Sequence, residues 1–233
     1  MKPELEDRYA HIIAKLLRPR LEQGGNTVML TPFADASILE GGFSLPFTEE
    51  DMEDGYFITA TNGVKRAIMM RHFADGYYED NVFLGGLIPC EGSPLSLAVL
   101  MPKDTHNDLL FWANAVNFSR IRRKMKGVQT QLIIPAHDME AGTLLQMTGE
   151  QVREMEELKE EMDAYLASGE QEDEEQECQA DAGEGDTVEI VFNRPFFFAV
   201  IDDELGLPAL IGVVNEAFDP EHDELPEEFG FED

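Results

Sequence analysis

The sequence predicts a mixed α+β fold. Three observations carry that prediction. Near the C-terminus, Val188–Asn215 reads as two strands joined by a turn. Between Phe57 and Asp104, apolar runs alternate with turn residues, as in a series of short strands. At Pro3–Leu21 and Glu150–Ser168, apolar residues recur at three- and four-residue spacing, the period of an amphipathic helix.

In chain order, the first helix carries Leu5, Tyr9, Ile12, Ile13, Leu16, Leu17 and Leu21 on one face. Gly24-Gly25 stop it. Val28–Phe33 reads as a strand. Asn62-Gly63 is a strong turn pair and predicts a hairpin. Phe73–Asp80 and Asn81–Ile88 follow as strands, Pro89–Pro94 as a turn, and Leu95–Leu100 as a third strand closed by Met101–Asp104. Asp108–Lys124 suggests one or two short helices. They end in a basic cluster of Arg120, Arg122, Arg123, Lys124 and Lys126. In an acidic chain this cluster has two readings: pairing with the chain's own carboxylates, or a patch for an anionic ligand such as a glycosaminoglycan. Long-range repulsion opposes the second. Gln129–Pro135 is a strand.

Glu150–Ser168 places Val152, Met155, Leu158, Met162 and Tyr165 on one face, with acids elsewhere. Such a helix packs on the body or docks a partner. Gly169–Asp186 has almost no apolar residue and reads as a solvated loop, because it cannot bury enough surface to offset ordering entropy. In Val188–Asn215, Val188, Ile190 and Phe192 alternate with Glu189, Val191 and Asn193. Phe196–Ile201 is almost wholly apolar and suits a strand buried on both faces. Asp202–Gly206 is turn chemistry and Leu210–Val214 returns as a strand. Pro195 cannot donate to a ladder, so it marks a strand start or a crossing between sheets. The tail Glu216–Asp233 is acidic, with Phe218, Phe229 and Phe231 as its only bulky apolar anchors besides Leu225.

The 233 residues and 43% hydrophobic content suffice for a folded core, read as a single domain over 1–233, with an acidic helix and loop at 150–187 and an acidic tail at 216–233. A net charge of −31 argues against nucleic-acid and anionic-membrane partners and favours basic ones. The N-terminus lacks the apolar core of a signal peptide, so the expectation is an intracellular chain or one that has lost its signal. Cys90 and Cys178 make neither a disulfide framework nor a metal site. His11, His72, His106, His137 and His222 lack ligand spacing. Asp202-Asp203-Glu204 has the composition of a cation ligand set, but a turn of solvated acids explains it more simply. No G-x-S-x-G, P-loop, H-E-x-x-H or C-x-x-C motif is present. The reading is therefore of a protein that is not an enzyme and carries no cofactor.

Several stretches resemble the serpins. Phe192-Asn193-Arg194-Pro195-Phe196, followed by a turn and Gly212-Val213-Val214-Asn215, is similar to the C-terminal signature of that family. Thr48, Phe57, Asn62-Gly63 and Met69-Met70 follow its T…F…G…MM order. Pro94–Asp104, PLSLAVLMPKD, looks like its "l-s-m-l-v-v-L-P" segment, with Ile88-Pro89-Cys90 in place of Leu-Pro-Tyr. Thr130–Gly149 resembles a further segment, with Ala136-His137 where Lys-Phe is usual. Val28–Phe43 matches in spacing a segment that runs along the family's central sheet, with Leu39 in the place of its Trp.

The resemblance implies a serpin-like multi-sheet fold of three sheets, mostly antiparallel, with surrounding helices, and with the N-terminal helices largely missing. It implies an inhibitor of serine (or cysteine) proteases. Family members offer a reactive loop as bait and, after acylation, insert it as a strand into the central sheet. Here the loop falls within 169–187, the scissile bond at Glu184-Gly185 and the hinge at Gly169, Glu170 and Gln171. An acidic residue at the scissile bond implies a protease with a basic specificity pocket. The run Glu170–Glu177 departs from the small residues usual at an inserting hinge. Burying its carboxylates costs several kcal/mol each unless they are paired or protonated. Insertion is therefore expected to be impaired. The alternative is a non-inhibitory serpin-like binding protein whose acidic surface receives basic partners.

Overall fold

The computed structural model describes residues 3–22, 24–31, 49–74, 76–104, 108–136, 149–168, 187–203 and 206–217. Helix α1 (Pro3–Leu21) opens the chain. Strands β1 (Thr27–Leu30), β2 (Met52–Ile58), β3 (Val64–Ala74), β4 (Tyr77–Glu79), β5 (Phe83–Pro89) and β6 (Leu95–Pro102) follow. After short helical turns between Leu109 and Lys124 come β7 (Met125–Lys126) and β8 (Thr130–Pro135). Helix α2 (Gly149–Ser168) precedes β9 (Val188–Val191), β10 (Phe196–Asp202) and β11 (Leu207–Val214).

The strands form two sheets. The larger has the order β1-β11-β10-β6-β5-β4-β7, and the smaller β2-β3-β8-β9. Every pairing is antiparallel except β8 with β9, which is parallel. Three sheets were implied by the serpin resemblance; the described strands are accounted for by two. The family resemblance of Val28–Phe43 implies a segment along a central sheet. Instead β1 is an edge of the larger sheet, in register with β11 from Thr27 opposite Val213 to Leu30 opposite Leu210. Residues 32–48, including Leu39 and Thr48, lie outside the described residues.

β10 explains the architecture. Its side chains alternate between two cores, and all but Asp202 are buried. Phe197, Ala199 and Ile201 face α1 and α2, joining Tyr9, Ile13, Leu17, Met155 and Leu158. Phe196, Phe198 and Val200 face the smaller sheet, joining Phe57, Leu132, Ile190 and Phe192. An apolar strand buried on both faces is thus the middle layer between helices and a second sheet. Gly212 fits this crowding: a Cβ there would lie 2.6 Å from the Thr27 carbonyl and inside the Phe198 ring.

The α1 face read from the sequence is the buried face: Leu5, Tyr9, Ile12, Ile13, Leu16 and Leu17 are all buried, and Leu21 packs partly against them. Tyr9 reaches 199 residues along the chain to donate to the Pro208 carbonyl at 2.9 Å. Its burial pushes the phenol pKa well above the ordinary value. Gly24 and Gly25, both at positive φ, end the helix as expected.

The Asn62-Gly63 hairpin forms. Asn62 has φ of 62°, and Thr59 closes the loop by accepting from Gly63 N at 3.0 Å through its hydroxyl. One strand was misread: Phe73–Asp80 is not continuous. The long strand β3 ends at Ala74, in the smaller sheet, and β4 restarts at Tyr77 in the larger one. Residues 73–80 thus form a crossing between sheets. A one-dimensional apolar pattern does not mark it, because both halves are strand-like. β11 also begins earlier than expected, at Leu207, with a register shift at Val200/Ile201.

Candidate functional site

The functional reading rests on the segment between α2 and β10, and the structure defines its two anchors. Gly169, Glu170, Gln171, Glu184 and Gly185, the hinge and scissile residues named from the sequence, lie outside the described residues. On the N-terminal side, α2 ends at Ser168, whose hydroxyl donates to the Tyr165 carbonyl at 2.7 Å. On the C-terminal side, the Val188 amide donates to the Gln129 carbonyl at 3.0 Å, and the parallel ladder with β8 begins. It runs from Val188 opposite Thr130 to Val191 opposite Ile133. The Phe192 amide extends it by donating to the Ile133 carbonyl at 2.8 Å. Glu189, Val191 and Asn193 are exposed while Ile190 and Phe192 are buried, the alternation read from the sequence.

The signature Phe192-Asn193-Arg194-Pro195-Phe196 is the corner where the chain leaves the smaller sheet for the larger. Phe192 and Phe196 are fully buried, with ring centroids 5.2 Å apart and planes at 68°. The Asn193 carbonyl accepts from Ile58 N at 2.8 Å, tying the corner to the end of β2. Arg194 donates through Nη2 to the Pro102 carbonyl at 2.8 Å and to that of Lys103 at 3.4 Å. Desolvation by burial lowers its pKa, and Asp104 opposes the shift. Pro195 has no N–H to give and sits where no ladder bond is required. The five residues are brought together, then, as a structural joint.

The basic cluster resolves in part as internal pairing. Arg120 pairs with Asp7 on α1. Lys126 pairs with Glu79 at 2.7 Å and lies 5.0 Å from the Tyr77 ring centroid. Lys103 pairs with the same carboxylate at 2.8 Å. The two lysines hold the Glu79 pKa down to about 2. Lys124 is exposed, and the side chains of Arg122 and Arg123 lie outside the described ones.

Asp203 accepts from the Ser96 hydroxyl at 3.2 Å, and Glu204 lies outside the described residues. Among the described residues, no three His, Cys, Asp or Glu side chains converge on a possible metal position. His72 is buried and His11 exposed. Cys90 is buried and free, and burial pushes its thiol up to about 11, with Asp203 adding to the shift. Among the described residues, no helix is long and apolar enough to cross a membrane.

One joint escaped the sequence reading. The Asn26 side chain accepts from Asn215 N at 2.8 Å and Glu216 N at 3.0 Å, and donates to the Glu216 carbonyl at 2.8 Å. Asn215 returns a bond to the Gly25 carbonyl at 2.6 Å. Asn215 stood in the C-terminal signature, but nothing local pointed to a partner 190 residues away.

The fold is serpin-like. The native state of tengpin, a thermophilic serpin, matches with a TM-score of 0.50 at 14% identity, covering 75% of this chain and 52% of that one. SRPN18 from Anopheles gambiae matches with a TM-score of 0.49 at 18% identity, covering 78% of this chain and 54% of that one. Native protease nexin-1 solved with heparin gives 0.45 at 13% identity, over 74% and 53% of the two chains. At these identities the likeness concerns the fold alone, and the chain spans about half the length of the solved structures it matches. No family model and no curated protein matches the sequence.

Proposed function

We propose that this chain is a serpin-type bait protein. It offers residues within 169–187 to a serine (or cysteine) endopeptidase with a basic specificity pocket, and does not insert that segment as a strand. The observation that carries this reading is the anchoring of the segment on both sides: α2 precedes it, and the parallel β8–β9 ladder begins one residue after it. A segment held at both ends suits presentation of an extended chain to a protease cleft. Glu184-Gly185 is the bond offered, and Gly169, Glu170 and Gln171 form the hinge.

One argument supports presentation without insertion. The run Glu170–Glu177 holds six acids and no base, so inserting it would desolvate carboxylates and stack like charges on one face. Phe192–Phe196 serve in this reading as the fixed end against which the bait is presented.

The test is incubation with a panel of serine and cysteine endopeptidases of differing specificity, followed by a denaturing gel and mass analysis of the products. The expected outcome is cleavage confined to 169–187, without a covalent complex. A gel-stable complex would overturn the non-inserting mode. Resistance of the segment to every enzyme of the panel would overturn the bait reading itself.

A second reading has its own observation. Residues 169–186 carry nine acids and residues 218–233 eight, with no Lys or Arg in either. An acidic binding protein for basic partners would show steep salt dependence in partner capture. Salt-independent capture would exclude it.

A further inference from the structure

Helix α2 lies outside the stretches that carry the family resemblance, and its charges tie it to α1. It runs antiparallel to α1, as its two ion pairs show: Arg8 with Glu161 at 2.6 Å and Lys15 with Glu154 at 3.4 Å. Beneath this charged rim, Met155 and Leu158 are fully buried in the core among the described α2 side chains, with Tyr165 partly buried against it. The helices are complementary in charge. Over its 20 residues α2 holds seven acids and two bases, a net charge of −5. α1 holds four bases and three acids, with the acids in its first turn.

Neither attachment is strong. Both ion pairs are about half exposed, and a groove of about 500 Å³ lined by Arg8, His11, Lys15, Glu154 and Glu157 runs along the seam. Salt therefore reaches both pairs. Away from the body α2 is a poor helix. Like charges stand four residues apart at Glu150/Glu154, Glu156/Glu160 and Glu157/Glu161. A helix of this length without tertiary support is marginal in water.

We propose that α2 is a charge-latched strap. It is held on α1 by the Arg8–Glu161 and Lys15–Glu154 pairs over an apolar strip that includes Met155 and Leu158. When those pairs are screened or outcompeted, it lifts and melts as a unit while the two sheets stay folded. Release frees the N-terminal anchor of residues 169–187 and leaves the β9 anchor in place. Ionic strength, or a basic protein competing for Glu154 and Glu161, thus sets how tightly the segment is tethered. The strap follows from the α1–α2 seam, and it stands whether or not an endopeptidase is the partner.

The test is amide exchange of the full chain, read by mass spectrometry over 150–166 and, as an internal control, over β10. Raising NaCl from about 0.05 M to about 0.5 M is expected to speed exchange of 150–166 several-fold and leave β10 unchanged. The double variant R8E/K15E turns both attractions into repulsions. It should speed exchange of 150–166 about tenfold at low salt, the size expected for two exposed pairs. Adding E154K and E161R to that variant should restore protection. Exchange of 150–166 that responds neither to salt nor to charge reversal would overturn the strap. So would exchange of 150–166 that occurs only in step with β10, because α2 would then unfold with the whole molecule.

Discussion

Glu79 shows how single residues in this acidic chain are stabilised. It is held between two bases: Lys103 at 2.8 Å and Lys126 at 2.7 Å donate to its two oxygens. Those bonds hold its pKa at about 2 in the folded state, against an ordinary 4.5. A carboxylate whose folded pKa is depressed contributes stability that is complete above the unfolded pKa and is lost as pH falls through the folded one. Its contribution should therefore disappear between about pH 4.5 and about pH 2. Denaturant titrations at several pH values check this. Glu79→Gln should lower stability at neutral pH and flatten the acid limb across that window. An unchanged acid limb in the variant would contradict the assignment. Cys90 illustrates the opposite rule: a thiol buried in apolar surroundings is inert, and the structure gives it no task beyond packing.

At the scale of elements, the Phe192–Phe196 corner is the joint on which the rest depends. Arg194 bridges it to the end of β6 with two bonds to backbone carbonyls. Replacing it with Ala should cost about 1.5–3 kcal/mol, the range for hydrogen bonds made by a charged group. Lys should recover only part, because a compact, strongly hydrated ammonium is harder to bury than a guanidinium. Urea midpoints of the two variants check the order. Equal losses for Lys and Ala would contradict that order. This corner also marks how much of the fold was legible. The buried β10, the α1 face and the Asn62-Gly63 hairpin were read correctly because each is written in local periodicity or turn chemistry. Pro195 announced a strand start or a crossing between sheets, and marks both, because proline has one backbone constraint that no context removes. The crossing at Ala74–Tyr77 went unread because residues on both sides of it favour strands. The placement of β1 at the sheet edge, the Asn26–Asn215 joint and the α1–α2 seam depend on partners far along the chain, and no local pattern specifies them. Of the candidate site, the alternation of 188–192 and the buried corner were legible. The hinge and scissile positions were carried by resemblance alone.

At the scale of the whole molecule, acidic charge is concentrated in two stretches of the sequence. The two sheets and α1 share one apolar body in which β10 is the central layer. Seventeen of the 48 acids fall in residues 169–186 and 218–233, which together hold no Lys or Arg. Under the proposed reading such a segment is offered without being drawn into the body, because its acids would be costly to desolvate. The proposed bait is offered and not inserted. Thermal unfolding of the full chain, before and after a single proteolytic cut within 169–186, tests it most directly. An inserting fold gains a strand on cleavage and becomes markedly more stable. The present account predicts a midpoint shift of no more than about 4 °C, equivalent to roughly 1 kcal/mol for a chain of this size. A rise well beyond that would show that the cut segment has joined a sheet, and would contradict the account.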